Sequence, residues 1–247
     1  MITIFRNMRK QLADENQFIK YSRYAIGEIL LVVIGIVIAL QINNWNEERK
    51  LKKEELTILN NLAENLISAA AQSKNQIEGE EQLINNLLNA LNRDTARIND
   101  SVFKYLLWDF ESDIPVMNSY ADLKSTGKTA LIKNKQIRES FTHLEISISN
   151  LENLVKDRLT VQQIRIDNIA HTEVNFVRLM SLQFPAIDLE RENLNDYTVI
   201  LDKPDIRNLI AIKLELTGGV LKYRKALLNQ VNELDKLLKN EIEVLKQ

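Results

Sequence analysis

From residue 24 the chain reads YAIGEILLVVIGIVIALQINNW, an apolar run with one acid, Glu28, near its start and Trp45 at its end. A helix of this length spans a ~30 Å hydrocarbon core. Residues 24–45 are therefore predicted to form a transmembrane helix. The pattern then changes. Leu56, Leu59, Ala63, Leu66, Ala70, Ile77, Ile84, Leu87 and Leu91 recur three or four apart, with only Gly79 interrupting. That spacing predicts one long amphipathic helix over about 46–92. Counting back by sevens from Leu56 reaches Arg49, Ile42, Gly35 and Glu28. The span is thus expected to run into the next helix on a shared stripe. A straight helix drifts ~20° per heptad, so that shared phase needs supercoiling. Asn43-Asn44 is the place where the helix would otherwise break.

Residues 93–133 are irregular. A short apolar helix over Val102–Trp108 precedes the acidic run Asp109, Glu111, Ser112, Asp113 and then Pro115. A second short helix is expected near Asn118, a candidate N-cap, and Gly127 suits its end. A long helix is predicted over about 134–180, with Ile137, Phe141, Leu144, Ile148, Leu151, Val155, Ile164, Ile169, Phe176 and Met180 inward. A loop over 183–203 contains Pro185. The last helix starts at Pro204, a residue suited to a first helical turn, and carries an apolar stripe to Leu245. Gly218-Gly219 inside it costs about 1 kcal/mol per glycine relative to alanine. The pair marks either a kink or a close helix crossing, with the crossing favoured.

The expected fold is all-α: an N-terminal transmembrane helix continuing into an elongated antiparallel helical bundle. It divides into a basic segment at 1–23, the span at 24–45 and an aqueous domain at 46–247 with a short-helix insert at about 93–133. In the first segment Ile4, Phe5, Met8, Leu12, Phe18 and Ile19 alternate with basic residues. That pattern fits an interfacial amphipathic helix on anionic lipid or an ordinary basic flank. Its length argues for an uncleaved anchor over a secretory signal, despite Val37-Ile38-Ala39. Arg6, Arg9, Lys10, Lys20 and Arg23 precede the span, and Arg49, Lys50, Lys52 and Lys53 follow it. The small excess in front places the N-terminus in the cytoplasm of an inner-membrane protein, with the bundle in the periplasm.

On the span, Glu28, Val32, Gly35, Ala39 and Ile42 share one stripe. Gly35 and Ala39 form a small-xxx-small step that lets helices approach. An acid inside a membrane faces protein or water. Glu28 therefore either joins an oligomer interface or snorkels toward Lys20 and Arg23. The whole stripe is the candidate packing and oligomerisation site.

Composition narrows the function. Lys+Arg 32 against Asp+Glu 34 gives no field of one sign, so nucleic acid is not an expected partner. Six glycines and three prolines suit long helices. The absence of cysteine excludes thiolate chemistry, and two histidines, His143 and His171, exclude a His-rich metal site. Nucleophile, phosphate-loop and metalloprotease motifs are missing. No catalytic residue and no cofactor is therefore expected. The acidic run at 109–113 is read as a solvated loop rather than a cation site. His143 near Glu139, and His171 near Asp167, are read as surface pairs. Phe103, Tyr105, Trp108 and Phe110 are read as a core plug beside Tyr120, with a ligand pocket as the alternative.

The run YAIGEILLVVIGIVIALQINNWNEERK closely resembles the opening of an uncharacterised family of single-pass membrane proteins from Bacteroidota. A looser likeness is Tyr120, Leu123 and Gly127, followed by Leu131, Ile132 and Asn134, which is similar to a Tyr-x-x-Leu-x-x-x-Gly then Leu-Ile-x-Asn element of that family. The resemblance implies an anchored helical protein and carries no catalytic residues. The leading expectation is a non-enzymatic homo-oligomeric periplasmic scaffold. Its partners are membrane lipid, a second copy and another membrane or periplasmic protein. The alternatives are a ligand-sensing bundle with a separate signalling partner, and an ion- or proton-handling assembly using Glu28.

Overall fold

The computed structural model describes the backbone of residues 18–108 and 113–247. Those residues form seven α-helices and no strand: α1 Phe18–Leu91, α2 Asp100–Leu107, α3 Asn118–Ser125, α4 Lys135–Thr172, α5 Phe176–Ser181, α6 Tyr197–Ile200 and α7 Pro204–Lys246. The all-α expectation holds. Residues 1–17 of the basic segment, and Asp109 to Ser112 of the acidic run, lie outside the described residues.

Contacts divide the chain into two units, Met1–Glu55 and Leu56–Gln247. In the first, helical backbone passes through Asn43 and Asn44 without a break. Every side chain from Ile26 to Glu54 is exposed. Among the described residues this is the one helix long and apolar enough to cross a membrane.

The second unit is built on a repeating seam. In α1, Leu59, Leu62, Leu66, Ala69, Ser73, Gln76, Glu80, Leu83, Leu87 and Ala90 are all buried. Their separations alternate between four and three residues, the repeat that keeps one face of a helix against its neighbours. The stripe expected from apolar residues alone stepped over Ser73, Gln76 and Glu80. It also took Leu56, Ala70 and Ile84, which are only half-buried.

Two apolar clusters lie along this seam. The near cluster joins Leu59–Ala69 of α1 to Ile137–Val155 of α4 and Val220–Ile242 of α7. The far cluster joins Leu83–Ala90 to Ile166 and Ile169 of α4 and Ile206–Ile210 of α7. α1 and α4 therefore run in the same direction and α7 runs against them. The insert explains how. Phe103, Leu106 and Leu107 of α2 sit in the far cluster, whereas Tyr120 of α3 and Ile132 sit in the near one. The insert is thus a return arm, and the four arms alternate in direction. That arm is broken midway, where Pro115 has no N–H to donate and disfavours helix at Ile114.

Three local expectations need correction. Asn118 is not the N-cap of α3, because the cap residue is Met117 and makes no side-chain cap bond. Asn65 on α1 caps the helix from outside, its Oδ1 accepting from Ser119 N at 2.9 Å. The long fourth helix stops at Thr172 and not near 180. There Asn175 is pulled into the following loop, its N–H donating to Asn195 Oδ1 at 2.7 Å and its Nδ2 to Glu192 Oε2 at 2.8 Å. Of the residues expected inward there, Ile169 is buried, Phe176 and Met180 are half-buried, and the Ile164 side chain lies outside the described residues.

Gly218-Gly219 is not a close crossing. α7 continues through both residues, and a Cβ added at either meets nothing within 4 Å. Gly218→Ala and Gly219→Ala are therefore each expected to stabilise the fold by about 0.5–1 kcal/mol. A higher urea midpoint measures this. An unchanged or lower midpoint would mean that the glycines serve a contact outside this chain.

Candidate functional site

The span stripe is the first candidate. Glu28, Val32, Gly35, Ala39 and Ile42 recur at helical spacing on α1, and all five are exposed. A Cβ built at Gly35 meets nothing within 4 Å. Among the described residues nothing covers the stripe, and Gly35 leaves room for a close approach.

The element Tyr120, Leu123, Gly127, Leu131, Ile132 and Asn134 comes together as one turn of the return arm. Tyr120 stacks on Phe141 of α4, ring centroids 4.4 Å apart and planes 10° from parallel. Gly127 ends α3 in the left-handed region at φ 71°, a conformation that glycine adopts without a Cβ penalty. Ile132 is buried, with Leu123 and Leu131 half-buried against the near cluster. Asn134 is the N-cap of α4, its Oδ1 accepting from Gln136 N at 3.0 Å and Ile137 N at 3.3 Å. Its Nδ2 donates to Glu241 of α7 at 2.6 Å. Arg138 closes the turn by donating to the carbonyls of Ile132 and Lys133. Each of these residues sets chain direction or packing.

Between the two apolar clusters lies a layer of buried charge. Glu80 receives a two-pronged contact from Arg158 of α4, at 2.6 Å to Oε2 and 3.0 Å to Oε1. Arg224 of α7 donates Nε to the same carboxylate at 3.2 Å. Its Nη1 reaches Gln76 Oε1 at 2.6 Å and the Asp113 carbonyl at 3.0 Å. The charged side chains are at most 1 % exposed. Asp113 can offer its carbonyl because the return arm is not helical there. Three arms are thus tied at one carboxylate, and the return arm joins them through Arg224. Nothing in the spacing of apolar residues signals this layer. The available hint is that Ser73, Gln76 and Glu80 fall on the alternation of threes and fours between Ala69 and Leu83.

A second polar knot closes the far end. Asp100, in the first turn of α2, accepts from Asn195 Nδ2 at 3.0 Å, from Arg178 Nε at 3.4 Å and from the Tyr197 hydroxyl. Burial first, and then this bond to Asp100, push the Tyr197 phenol well above its ordinary value. Lys203 donates to Glu173, and that bond holds the Glu173 carboxyl below the usual carboxylate range. The aromatic residues belong here and not beside Tyr120. Phe103 packs on Tyr197 at 5.0 Å, and Trp108 on Phe176 at 5.1 Å. Tyr105 donates to the Gly79 carbonyl at 3.2 Å. Phe110 lies outside the described residues.

Among the described residues the remaining candidates do not assemble into a site. His143 is exposed, and Glu139 pairs back to Lys135 at 3.0 Å. The side chains of His171 and Asp167 lie outside the described residues. Among the described residues no three His, Asp or Glu side chains group as metal ligands.

Buried ion pairs cost several kcal/mol per ion in desolvation, and their attraction roughly offsets that cost. Removing one partner is different. Glu80→Ala is expected to lower unfolding free energy by about 3–5 kcal/mol, since it removes a carboxylate that two buried guanidinium groups share. Replacing Glu80, Arg158 and Arg224 together by leucine or methionine is expected to be neutral or stabilising. Denaturant titration distinguishes the two cases, and equal losses would refute the layer. Tyr197 gives a separate pH signature. Its raised value contributes stability below the unfolded phenol value of ~10, which is lost as pH rises above it. Tyr197→Phe should remove that alkaline slope in a pH series of melting midpoints.

A family of unknown function, DUF6090, matches residues 28–214. No curated protein and no solved structure matches the chain. The matched range holds the span from Glu28, the whole return arm with its Tyr120–Asn134 turn, and two of the three charged side chains of the layer, Glu80 and Arg158. It takes in well over half of the chain, and the protein accordingly belongs to this family of unknown function.

Proposed function

We propose that the protein is a non-enzymatic, membrane-anchored helical scaffold that self-associates through its span and presents the bundle to a protein partner. The observation that carries this reading is the exposed circumference of residues 24–45. Leu31 is 73 % exposed and Ile29, Ile42 and Trp45 more than 60 %. A helix apolar all round, left exposed by the described residues, is what a bilayer stabilises and water does not. The slight excess of basic residues before the span supports a cytoplasmic N-terminus and a periplasmic bundle.

Self-association is supported by Glu28 and the open Gly35 lying on one stripe. A non-enzymatic role is supported by the use made of the polar groups. Glu80, Arg158, Arg224, Asp100 and Tyr197 are engaged in holding arms together.

The test is membrane extraction followed by the mass of the full-length protein in mild detergent. The wild type should resist alkaline extraction and run as a defined oligomer, which Glu28→Gln or Gly35→Leu reduces. Release at alkaline pH would refute the anchor. A monomer in all three samples would refute assembly through the stripe.

A further inference from the structure

One turn of the bundle concentrates positive charge. From Lys124 to Arg138 the chain carries Lys124, Lys128, Lys133, Lys135 and Arg138 and no acid. The four lysines are exposed and Arg138 is half-buried. The left-handed backbone at Gly127 and the N-cap at Asn134 fold this segment back on itself. Its charges therefore gather at one end of the bundle instead of being spread along a helix. Lys124 pairs with Glu145 and Lys135 with Glu139. Both pairs lie at the surface, where ion pairs hold weakly and yield to a competing anion.

The end that carries this turn is the end joined to the span. Ile132 and Ile137 share the near cluster with Ile58 and Leu59 of α1 and with Leu238 and Ile242 of α7. The bundle begins there, at Leu56. The chain between Trp45 and Leu56 reaches at most ~40 Å even when fully extended. α4 alone, with 38 residues, is about 55 Å long. The covalent link thus keeps the basic turn within reach of the bilayer surface. The opposite end has the opposite sign. Over 188–205, Asp188, Glu190, Glu192, Asp196, Asp202 and Asp205 outnumber Arg191 and Lys203. Tyr197, Ile200 and Leu201 fix that stretch in the far cluster. An anionic surface attracts the first end and repels the second. Its potential falls off within a Debye length of ~10 Å, so it acts on charge gathered at a tip.

We propose that the Lys124–Arg138 turn docks on anionic phospholipid headgroups and holds the bundle end-on to the membrane, an inference that rests on the anchor proposed above. Phosphate oxygens of the headgroups accept from the lysine ammonium groups, and the acidic far end is left pointing away from the surface.

The chain has no cysteine, so single cysteines can report each end in the full-length protein. Ala130→Cys marks the basic turn and Asn193→Cys the far end, both at exposed positions. Each is labelled with a fluorophore and reconstituted in vesicles that contain a headgroup-nitroxide lipid as quencher. The vesicles are phosphatidylcholine alone, or phosphatidylcholine with about one-third phosphatidylglycerol. Quenching at Ala130→Cys should be at least about twofold greater with phosphatidylglycerol, and ~1 M salt should abolish the difference. Quenching at Asn193→Cys should stay low in both. Changing Lys124, Lys128, Lys133 and Lys135 together to glutamine should remove the lipid dependence, and changing the same four to arginine should retain it. Equal quenching at Ala130→Cys in the two lipids would overturn docking. Equal quenching at the two ends would overturn the end-on arrangement. A lipid dependence that survives in the glutamine variant would place the contact on other residues and overturn the assignment. Alkaline extraction of the same vesicles separates this proposal from the anchor: protein that stays in the membrane without lipid-dependent quenching refutes docking alone, whereas release refutes the anchor and docking with it.

Discussion

A carboxylate in a closed interior has to be met by cations, and in this bundle they come from two other arms. Glu80 is met by Arg158 and Arg224, 78 and 144 residues away in sequence. The seam on either side of it is built of leucine, isoleucine, valine and alanine at a repeating spacing. Such a seam is insensitive to a shift of one heptad, because apolar side chains of similar volume replace each other at small cost. The charges are not insensitive. Sliding any long helix by one repeat would separate Glu80 from a guanidinium and leave buried charge unpaired, at several kcal/mol. The apolar clusters supply the driving force for folding, at roughly 1.5–3 kcal/mol per fully buried large side chain. The layer between them supplies register.

The return arm follows from the same constraint. A regular helix would have engaged the Asp113 carbonyl in its own hydrogen-bond ladder. Pro115 prevents that, and the carbonyl accepts from Arg224 instead. The arm recovers helical structure in α3, whose start is capped by Asn65 across the bundle, and ends in the left-handed turn at Gly127. Asn134 then starts α4 in the opposite direction. The conspicuous Tyr120–Asn134 element is thus the means by which a broken arm is turned and aligned with the next helix. It accounts for tyrosine, glycine and asparagine at those positions without chemistry.

Much of the architecture is legible along the chain. The span, the three long amphipathic segments, the helix start at Pro204 and the end at Gly127 depend on hydrophobic period, proline geometry or a single φ angle. These are local properties, and they survive in the folded protein. The end of α4 is not legible, because neither glycine nor proline marks it. Asn175 leaves the helix only because Asn195 and Glu192 are there to receive it. The Gly218-Gly219 pair misleads for a related reason. Low helix propensity is visible in sequence, but whether a neighbour needs the missing Cβ is not, and here a Cβ at either glycine meets nothing within 4 Å among the described residues.

The sequence by itself determined the helical class, the apolar span, the order of the arms and the turn chemistry, since each rests on residues within a few positions of one another. Only the tertiary structure decided that Ser73, Gln76, Glu80, Arg158 and Arg224 belong to the interior. Polar residues within an amphipathic helix ordinarily face water, and burial becomes tolerable for them only when partners arrive from distant segments. No local pattern carries that information, because the stabilising contact does not exist until three helices are packed together.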